Sequence, residues 1–357
     1  MIRVGMLTSG GDCQALNAAM RGVAKCLFNS GKEVEIYGFL DGFKGLIAGE
    51  YKKLGRGDFS GILTKGGTML GTSRTPFKEI HDPDEEGRDK VSSMKKTYHD
   101  MKLDCLIILG GNGTHKTANL LREEGLNVIT LPKTIDNDIY GTDMTFGFQS
   151  AMDIATNAID LIHTTAGSHG RIFIVEIMGH KTGWLTLNAG IAGGVDIILI
   201  PEIPYDIEKV VKAIEKRAKS GAKFTILAVA EGSMPKELAA LPKHERKEIE
   251  KTSPYPSVSY AIAAKIKEMT GNDVRVTVPG HMQRGGSPCP YDRVLASRLG
   301  AEAGKMILEK DYGKMAGIVN REIVRVPMED VAGRLKTIDP NASIIKEAKG
   351  IGISFGD

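Results

Sequence analysis

The sequence predicts an α/β fold built on two parallel-rich sheets, and three observations carry that expectation. Its 357 residues exceed one small module and imply about two domains at roughly 150 residues each. Short Val/Ile/Leu runs alternate with longer helical patterns almost from end to end, as parallel strands covered by helices require. Glycine is over-represented: 43 residues, about 12% where ~7% is usual, with no low-complexity repeat. That excess implies tight turns and close backbone approach to a ligand.

Taken in order, residues 3–8 form the first strand, a helical pattern covers 14–29, and 34–40 is the second apolar run. Strands at 104–109 and 127–131 flank a helix at 116–124. A helix at 150–162 then leads to strands at 171–177 and 196–200, a helix at 207–219 and a strand at 224–230. A helix at 257–269, a strand at 274–278 and a helix at 291–308 complete the series. Strand, helix, strand repeated this often calls for right-handed crossovers, and the strand count implies two sheets. Residues 81–100, with Asp82-Pro83-Asp84-Glu85-Glu86, read as an inserted solvated loop and helix start. Residues 235–256, with the polar run Lys243-His244-Glu245-Arg246-Lys247, read as a second insertion with a solvated face.

Composition narrows the function. At 41% hydrophobic and 25% charged the chain matches globular averages and excludes wholesale disorder. A balance of 47 basic and 44 acidic side chains leaves +3, which gives no footprint for nucleic acid. Cys13, Cys26, Cys105 and Cys289 form no C-x-x-C pair, so a zinc site or redox dithiol has no support; Cys105 falls in a buried strand pattern. No apolar stretch approaches the roughly 20 residues of a membrane helix, and the first ten residues carry no signal-peptide pattern. The expectation is a cytoplasmic protein with no membrane partner.

Three glycine-rich turns stand where strands are expected to end. Thr8-Ser9-Gly10-Gly11-Asp12 precedes the helix near Gln14. Lys65-Gly66-Gly67-Thr68 runs on to Gly71-Thr72-Ser73-Arg74, and Gly110-Gly111-Asn112-Gly113-Thr114 joins the 104–109 strand to its helix. A glycine turn opening a helix offers backbone N–H groups and the positive dipole end to an anion. One alone is most often only a turn; three, one beside Arg74, point to a polyphosphate. None fits G-x-x-x-x-G-K-[ST], or G-x-G-x-x-G with its later acid, which argues against a P-loop and an ordinary dinucleotide fold.

Pro132-Lys133-Thr134-Ile135-Asp136-Asn137-Asp138 follows the 127–131 strand. Carboxylates at i and i+2 can divide labour in phosphoryl transfer, one taking the hydroxyl proton and one standing near Mg²⁺. An Asx-rich turn capping the next element is the plain alternative. Downstream come Gly170-Arg171, Met178-Gly179-His180, Glu231-Gly232, Arg275 and His281-Met282-Gln283-Arg284-Gly285-Gly286-Ser287-Pro288. Glu231 and His281 close strands, where ligands of doubly wound sheets bind. Arginines with a histidine suit a dianionic sugar phosphate, because guanidinium bonds phosphate oxygens in pairs. A satisfied structural histidine is the plain reading of His281.

Leu7–Asp12, Gly66–Thr68, Gly110–Thr114, Thr134–Asp138, Met178-Gly179 and Gly280–Pro288 together closely resemble the bacterial phosphofructokinases, in family order and across nearly the whole chain. The resemblance implies two Rossmann-like α/β lobes with parallel-rich sheets and the active site in the cleft between them. Residues 1–147 plus 283–333 would form the larger, donor-binding lobe, and 148–282 plus 334–357 the smaller, sugar-phosphate lobe. It implies phosphorylation of fructose 6-phosphate at its 1-hydroxyl by MgATP. Asp136 takes the base role, Thr134 orients the sugar with Ile135 beside it, and Arg74, Gly113 and Lys133 complete the reacting set. Gly11, Arg74, Thr75, Gly111, Asn112, Gly113 and Thr114 would hold the donor, with Mg²⁺ at Asn112 and Asp138. Met178, Gly179, His180, Glu231, His281, Met282, Gln283 and Arg284 would hold the sugar. Arg171 and Arg275 would reach it from a neighbouring subunit, which implies a homotetramer.

Departures from the family pattern bear on the donor. Asn112 stands where an acid is usual; it offers a carbonyl oxygen but no charge. Gly113 is the residue of ATP users, where pyrophosphate users carry Asp and lose the space an α-phosphate needs. Lys133 favours pyrophosphate, and a lysine there contributes ~1 to 4 kcal/mol toward a phosphate, depending on dielectric. Either donor accommodates charge but not lost volume, so Gly113 carries more weight. Thr75 and Thr117 depart around the nucleoside. Of the family's effector cluster, Arg21, Lys25, Arg56 and Asp196 fit, whereas His163, Ser220 and Ala222 replace basic residues, implying weak or absent regulation by ADP and phosphoenolpyruvate. The alternatives are pyrophosphate as donor, a lipid or NAD kinase, and a catalytically degenerate metabolite-binding subunit.

Overall fold

Eleven strands form in the computed structural model, which describes residues 1–357. They are β1 (Ile2–Thr8), β2 (Val34–Phe39), β3 (Tyr51–Leu54), β4 (Cys105–Gly110), β5 (Val128–Pro132), β6 (Ile172–Ile177), β7 (Ile197–Leu199), β8 (Thr225–Ala230), β9 (Val274–Thr277), β10 (Lys314–Val319) and β11 (Glu322–Pro327). The eight strands expected from apolar runs all form, within a residue at each end. The three without a sequence signal flank the first sheet. β3 exposes Tyr51, Lys52 and Lys53 and only Leu54 is buried, so burial writes no apolar run there. β11 is half-exposed and carries Glu322 and Arg325, charges that suit a sheet edge. β10 buries Met315 to Ile318, but its apolar run is interrupted by Gly317.

The chain divides into two units: residues 1–150 with 284–336, and 151–283 with 337–357. The first holds a seven-stranded sheet in the order β11-β10-β5-β4-β1-β2-β3. β10, β5, β4, β1 and β2 run parallel, while β3 and β11 are antiparallel edges. Register pairs Thr8 with Leu109 and Gly110 with Pro132. The carboxyl ends of β1, β4 and β5 are therefore neighbours, and their loops lie side by side. β4 is buried throughout, Cys105 included. The second unit holds an all-parallel sheet, β7-β8-β6-β9.

One expectation needs correcting. Within 81–100, the helix Lys90–Asp100 is capped by Asp89, whose carboxylate accepts from Ser92 N at 2.6 Å. It buries Val91, Met94 and Tyr98 in the core that also holds Phe43 and Leu106, so this segment is partly core and not only a solvated insertion. Charges on its outer face hid an apolar stripe of three residues. By contrast the helix Lys243–Lys251 buries no side chain, as its charge run implied. The helix Trp184–Ala192 was missed because its sequence, WLTLNAGIA, has no polar face to set a period. No helix is long and apolar enough to cross a membrane.

Candidate active site

In the first unit the loops after β1, β4 and β5 are tied together by side chains from their own motifs. Thr8 Oγ1 donates to Gly71 O at 2.7 Å and shares a hydrogen bond with Thr68 Oγ1 at 2.9 Å. Gly10 N donates to Ser73 O, and Thr72 Oγ1 donates back to Gly10 O. The first two glycine turns are thus laced together, and the chain leaves them at Arg74, which is exposed. Buried Asn17 donates to Lys65 O and accepts from Met69 N. Arg284 Nη1 donates to Asp12 O at 2.9 Å. A Cβ on Gly11 would stand 2.8 Å from that same nitrogen, so the guanidinium lies directly over this glycine. Lys133 is buried, its ammonium donates to Gly11 O, and burial holds it below its ordinary pKa.

Gly111 caps the helix Asn112–Glu123, whose first N–H groups have no partner inside the helix. Gly110 is required by the turn: a Cβ there would lie 2.2 Å from Thr114 Cγ2. At Gly113 a Cβ would meet nothing within 4 Å, so this position faces open space. Behind it His115 bonds Gly111 O at 2.9 Å, and burial pushes its pKa down to about 4, so it stays neutral. Asn112 Nδ2 donates to Arg334 O at 2.6 Å, which leaves Oδ1 as the acceptor of that amide.

The turn after β5 holds both carboxylates. Asp136 N donates to Thr134 Oγ1 at 3.0 Å, and Thr145 Oγ1 donates to Thr134 O at 2.8 Å. Asn137 has φ +52°, a left-handed conformation that Asn tolerates. Its amide donates to Asp143 O and accepts from Thr145 N. Thr134 and Asn137 therefore serve the turn, as the plain reading had it. Asp138 does not: its Oδ1 is buried without a hydrogen-bond partner. Burial, and then the neighbouring Asp136, push the Asp138 carboxyl up to about 6. Ile135 is wholly buried, backbone included, so it does not line an open site as the sequence expectation had it.

In the second unit, Glu231 Oε1 accepts from Gly179 N at 3.2 Å and His180 N at 2.8 Å. Gly179 is required twice over, by φ +155° and by Thr182 O, 2.5 Å from where its Cβ would stand. Buried Gln283 accepts from Met178 N and donates to Gly280 O, so it braces this loop. His281 and Met282 are exposed, Met282 at 72%. Arg171 and Arg275 lie elsewhere. Both pair with one carboxylate oxygen of Asp273, at 3.1 and 2.9 Å, at the amino end of β6 and β9, whereas Met178 and Glu231 follow the carboxyl ends of β6 and β8. At roughly 3.3 Å per residue the separation along β6 is about 20 Å.

Residues of the effector-like set are engaged internally: Asp196 pairs with Arg217 at 2.9 Å and accepts from Ile226 N, and His163 bonds Gly193 O. Sequence reasoning overlooked Asn17, Asn137 as a turn brace, and Lys336, whose ammonium donates to Asn137 Oδ1. A polar residue inside the apolar stripe of a helix was the available signal for Asn17; Lys336 had none.

Glycine turns at parallel strand ends, beside a half-buried and a buried carboxylate, define an α/β protein of the phosphate-handling class. Residues 3–307 match the family model described as phosphofructokinase, and the chain belongs to that family. An ATP-dependent 6-phosphofructokinase of Spirochaeta thermophila is 52% identical, over 99% of this chain and 97% of its own length. The structure of phosphofructokinase from Pichia pastoris in the T-state superposes with TM-score 0.78 at 32% identity, covering 92% of this chain and 35% of that one. A pyrophosphate-dependent phosphofructokinase from Marinobacter aquaeolei gives TM-score 0.80 at 20% identity, covering 97% and 88%; that likeness concerns the fold alone.

Proposed function

We propose that the protein is an ATP-dependent 6-phosphofructokinase, acting in the cytoplasm, that transfers the γ-phosphoryl group of MgATP to the 1-hydroxyl of fructose 6-phosphate. The observation that carries this reading is the Asp136/Asp138 pair, set on a turn beside the two glycine turns that follow β1 and β4. The half-buried Asp136 carboxylate accepts the hydroxyl proton as that oxygen bonds the γ-phosphorus; the γ-phosphorus–oxygen bond to the β-phosphate breaks, and ADP leaves. Thr134 and Asn137 hold the turn so that Asp136 meets the hydroxyl. Gly11, Gly111, Asn112, Gly113 and Thr114 receive the donor, with Arg74 and Thr75 beside them, and Arg74 meets charge developing in the transition state.

Oxygen donors fit Mg²⁺: Asp138 offers a buried oxygen without a partner, and Asn112 offers its amide oxygen. These two, with phosphate oxygens, would hold the ion, which neutralises phosphate charge. We assign donor binding to the first unit and sugar-phosphate binding to Met178, Gly179, His180, Glu231, His281 and Met282 of the second. Arg171 and Arg275, at the far end of β6, complete the sugar site of a neighbouring subunit in a homotetramer.

Pyrophosphate is the second reading, favoured by Lys133. Its ammonium is already engaged under the first glycine turn at Gly11 O, and the space at Gly113 stays open for an α-phosphate. ATP therefore remains the donor. Initial rates with ATP, GTP and pyrophosphate, each with fructose 6-phosphate and Mg²⁺, test this. ATP gives the highest rate; pyrophosphate outpacing both nucleotides overturns the donor, and no turnover with any of them leaves a metabolite-binding subunit.

A further inference from the structure

We propose that the segment Arg334-Leu335-Lys336 is a strap that positions the Thr134–Asp138 turn, with Lys336 as its positioning residue. Five sets of contacts converge on it within the first unit. The Lys336 ammonium donates to Asn137 Oδ1, Thr142 O and Asp143 O, each at 2.9 Å, which uses all three of its donors. Lys336 N donates to Asp138 O at 2.9 Å, and Leu335 forms an antiparallel bridge with Ile139. The Arg334 guanidinium lies 3.5 Å from the centroid of the Tyr140 ring, a close cation–π contact. Finally, the Arg334 carbonyl receives the Asn112 amide. One tripeptide, more than 190 residues away in sequence, thus fixes Asn112, Asn137 and the backbone of Asp138.

The function follows from where Asn137 stands. It separates the two carboxylates and holds a left-handed conformation, φ +52°, that the surroundings must enforce. Its Oδ1 is shared by Thr145 N and the Lys336 ammonium. Releasing the ammonium frees the turn on both sides, and a misplacement of about 1 Å can cost on the order of 10²-fold in rate. Lys336 acts through Asn137 and Asp138 and touches no reacting atom in this scheme, which rests on the phosphoryl-transfer reading above.

The test compares the full chain with K336M, which keeps the stem and loses the donors, and K336R, which keeps donors. Expected for K336M is a 10- to 100-fold loss of kcat, a KM for fructose 6-phosphate within threefold of the parent, and recovery of at least tenfold in K336R. Amide exchange over residues 134–145, measured without substrates, quickens at least tenfold in K336M and is restored in K336R. A folded K336M with kcat within twofold of the parent, or a loss confined to KM, overturns the proposal, as does unchanged exchange over 134–145. Should K336M not fold, K336Q is read by the same exchange measurement. If the parent chain has no kinase activity, the phosphoryl-transfer reading fails, and exchange alone still decides whether the strap holds the turn.

Discussion

Asp136 and Asp138 stand two residues apart in different surroundings, and that difference assigns their roles. Asp136 is half-buried, as a base meeting a substrate must be. Its replacement in D136S is expected to lower kcat by on the order of 10² to 10⁴ while fructose 6-phosphate still binds; calorimetry with the sugar phosphate and steady-state rates check both. Asp138 is pushed up to about 6 by burial and by Asp136. A carboxyl raised in the folded state favours its protonated form there, so its stabilising contribution is present below the ordinary carboxylate range and is lost as pH rises through about 6. The ligand-free D138N protein, neutral at every pH, is therefore expected to melt about 2 °C above the parent at pH 7.5. That gap closes near pH 4, and Tm series at both pH values without divalent cation test it. An equal gap at both would remove ionisation as the cause. The motif made both carboxylates legible from the chain, since Thr-Ile-Asp-Asn-Asp fixes residue types and spacing. Asn137's brace to Lys336 was not legible, because a lysine without a motif becomes meaningful only when chain folding brings it to 137.

At the scale of elements, legibility tracked burial on both faces. The five strands from β4 to β8, buried at every position, write apolar runs, and all five were read. Edge strands β3 and β11 write mixed sequences because one side meets water. The helix Lys90–Asp100 shows the same principle in a charged segment: Met94 is fully buried while Lys96 and Asp100 pair on the surface. Truncation in M94A is expected to cost about 2 to 5 kcal/mol, as for other buried methionines. K96A, which breaks only an exposed i,i+4 pair, stays within roughly 0.5 kcal/mol. Denaturant melts of the two variants separate core helix from solvated insertion. Comparable small losses in both would return residues 90–100 to the surface.

Over the whole molecule the informative feature is the layout of the second sheet, where candidate sugar-binding residues gather at opposite strand ends. Met178 and Glu231 follow β6 and β8, whereas Arg171 and Arg275 share Asp273 at the start of β6 and β9. Separated by about 20 Å along the strand, they cannot grip one small phosphate within a single copy of this unit. The arginines become intelligible if they serve a second copy, and a symmetric assembly makes that exchange reciprocal. A mixture of two defective chains tests it directly. D136S subunits lack the base but present intact arginines, and R275A subunits keep the base but present a damaged arm. Each alone is expected to be nearly inactive. After denaturation and joint refolding at equal amounts, a site pairing an R275A base with a D136S arm is whole. Random assembly gives about a quarter of sites in that state, so mixed refolding restores about a quarter of parental activity, whereas mixing without refolding restores none. Mixed and separate refolding giving the same residual rate would place both arginines in the service of their own subunit.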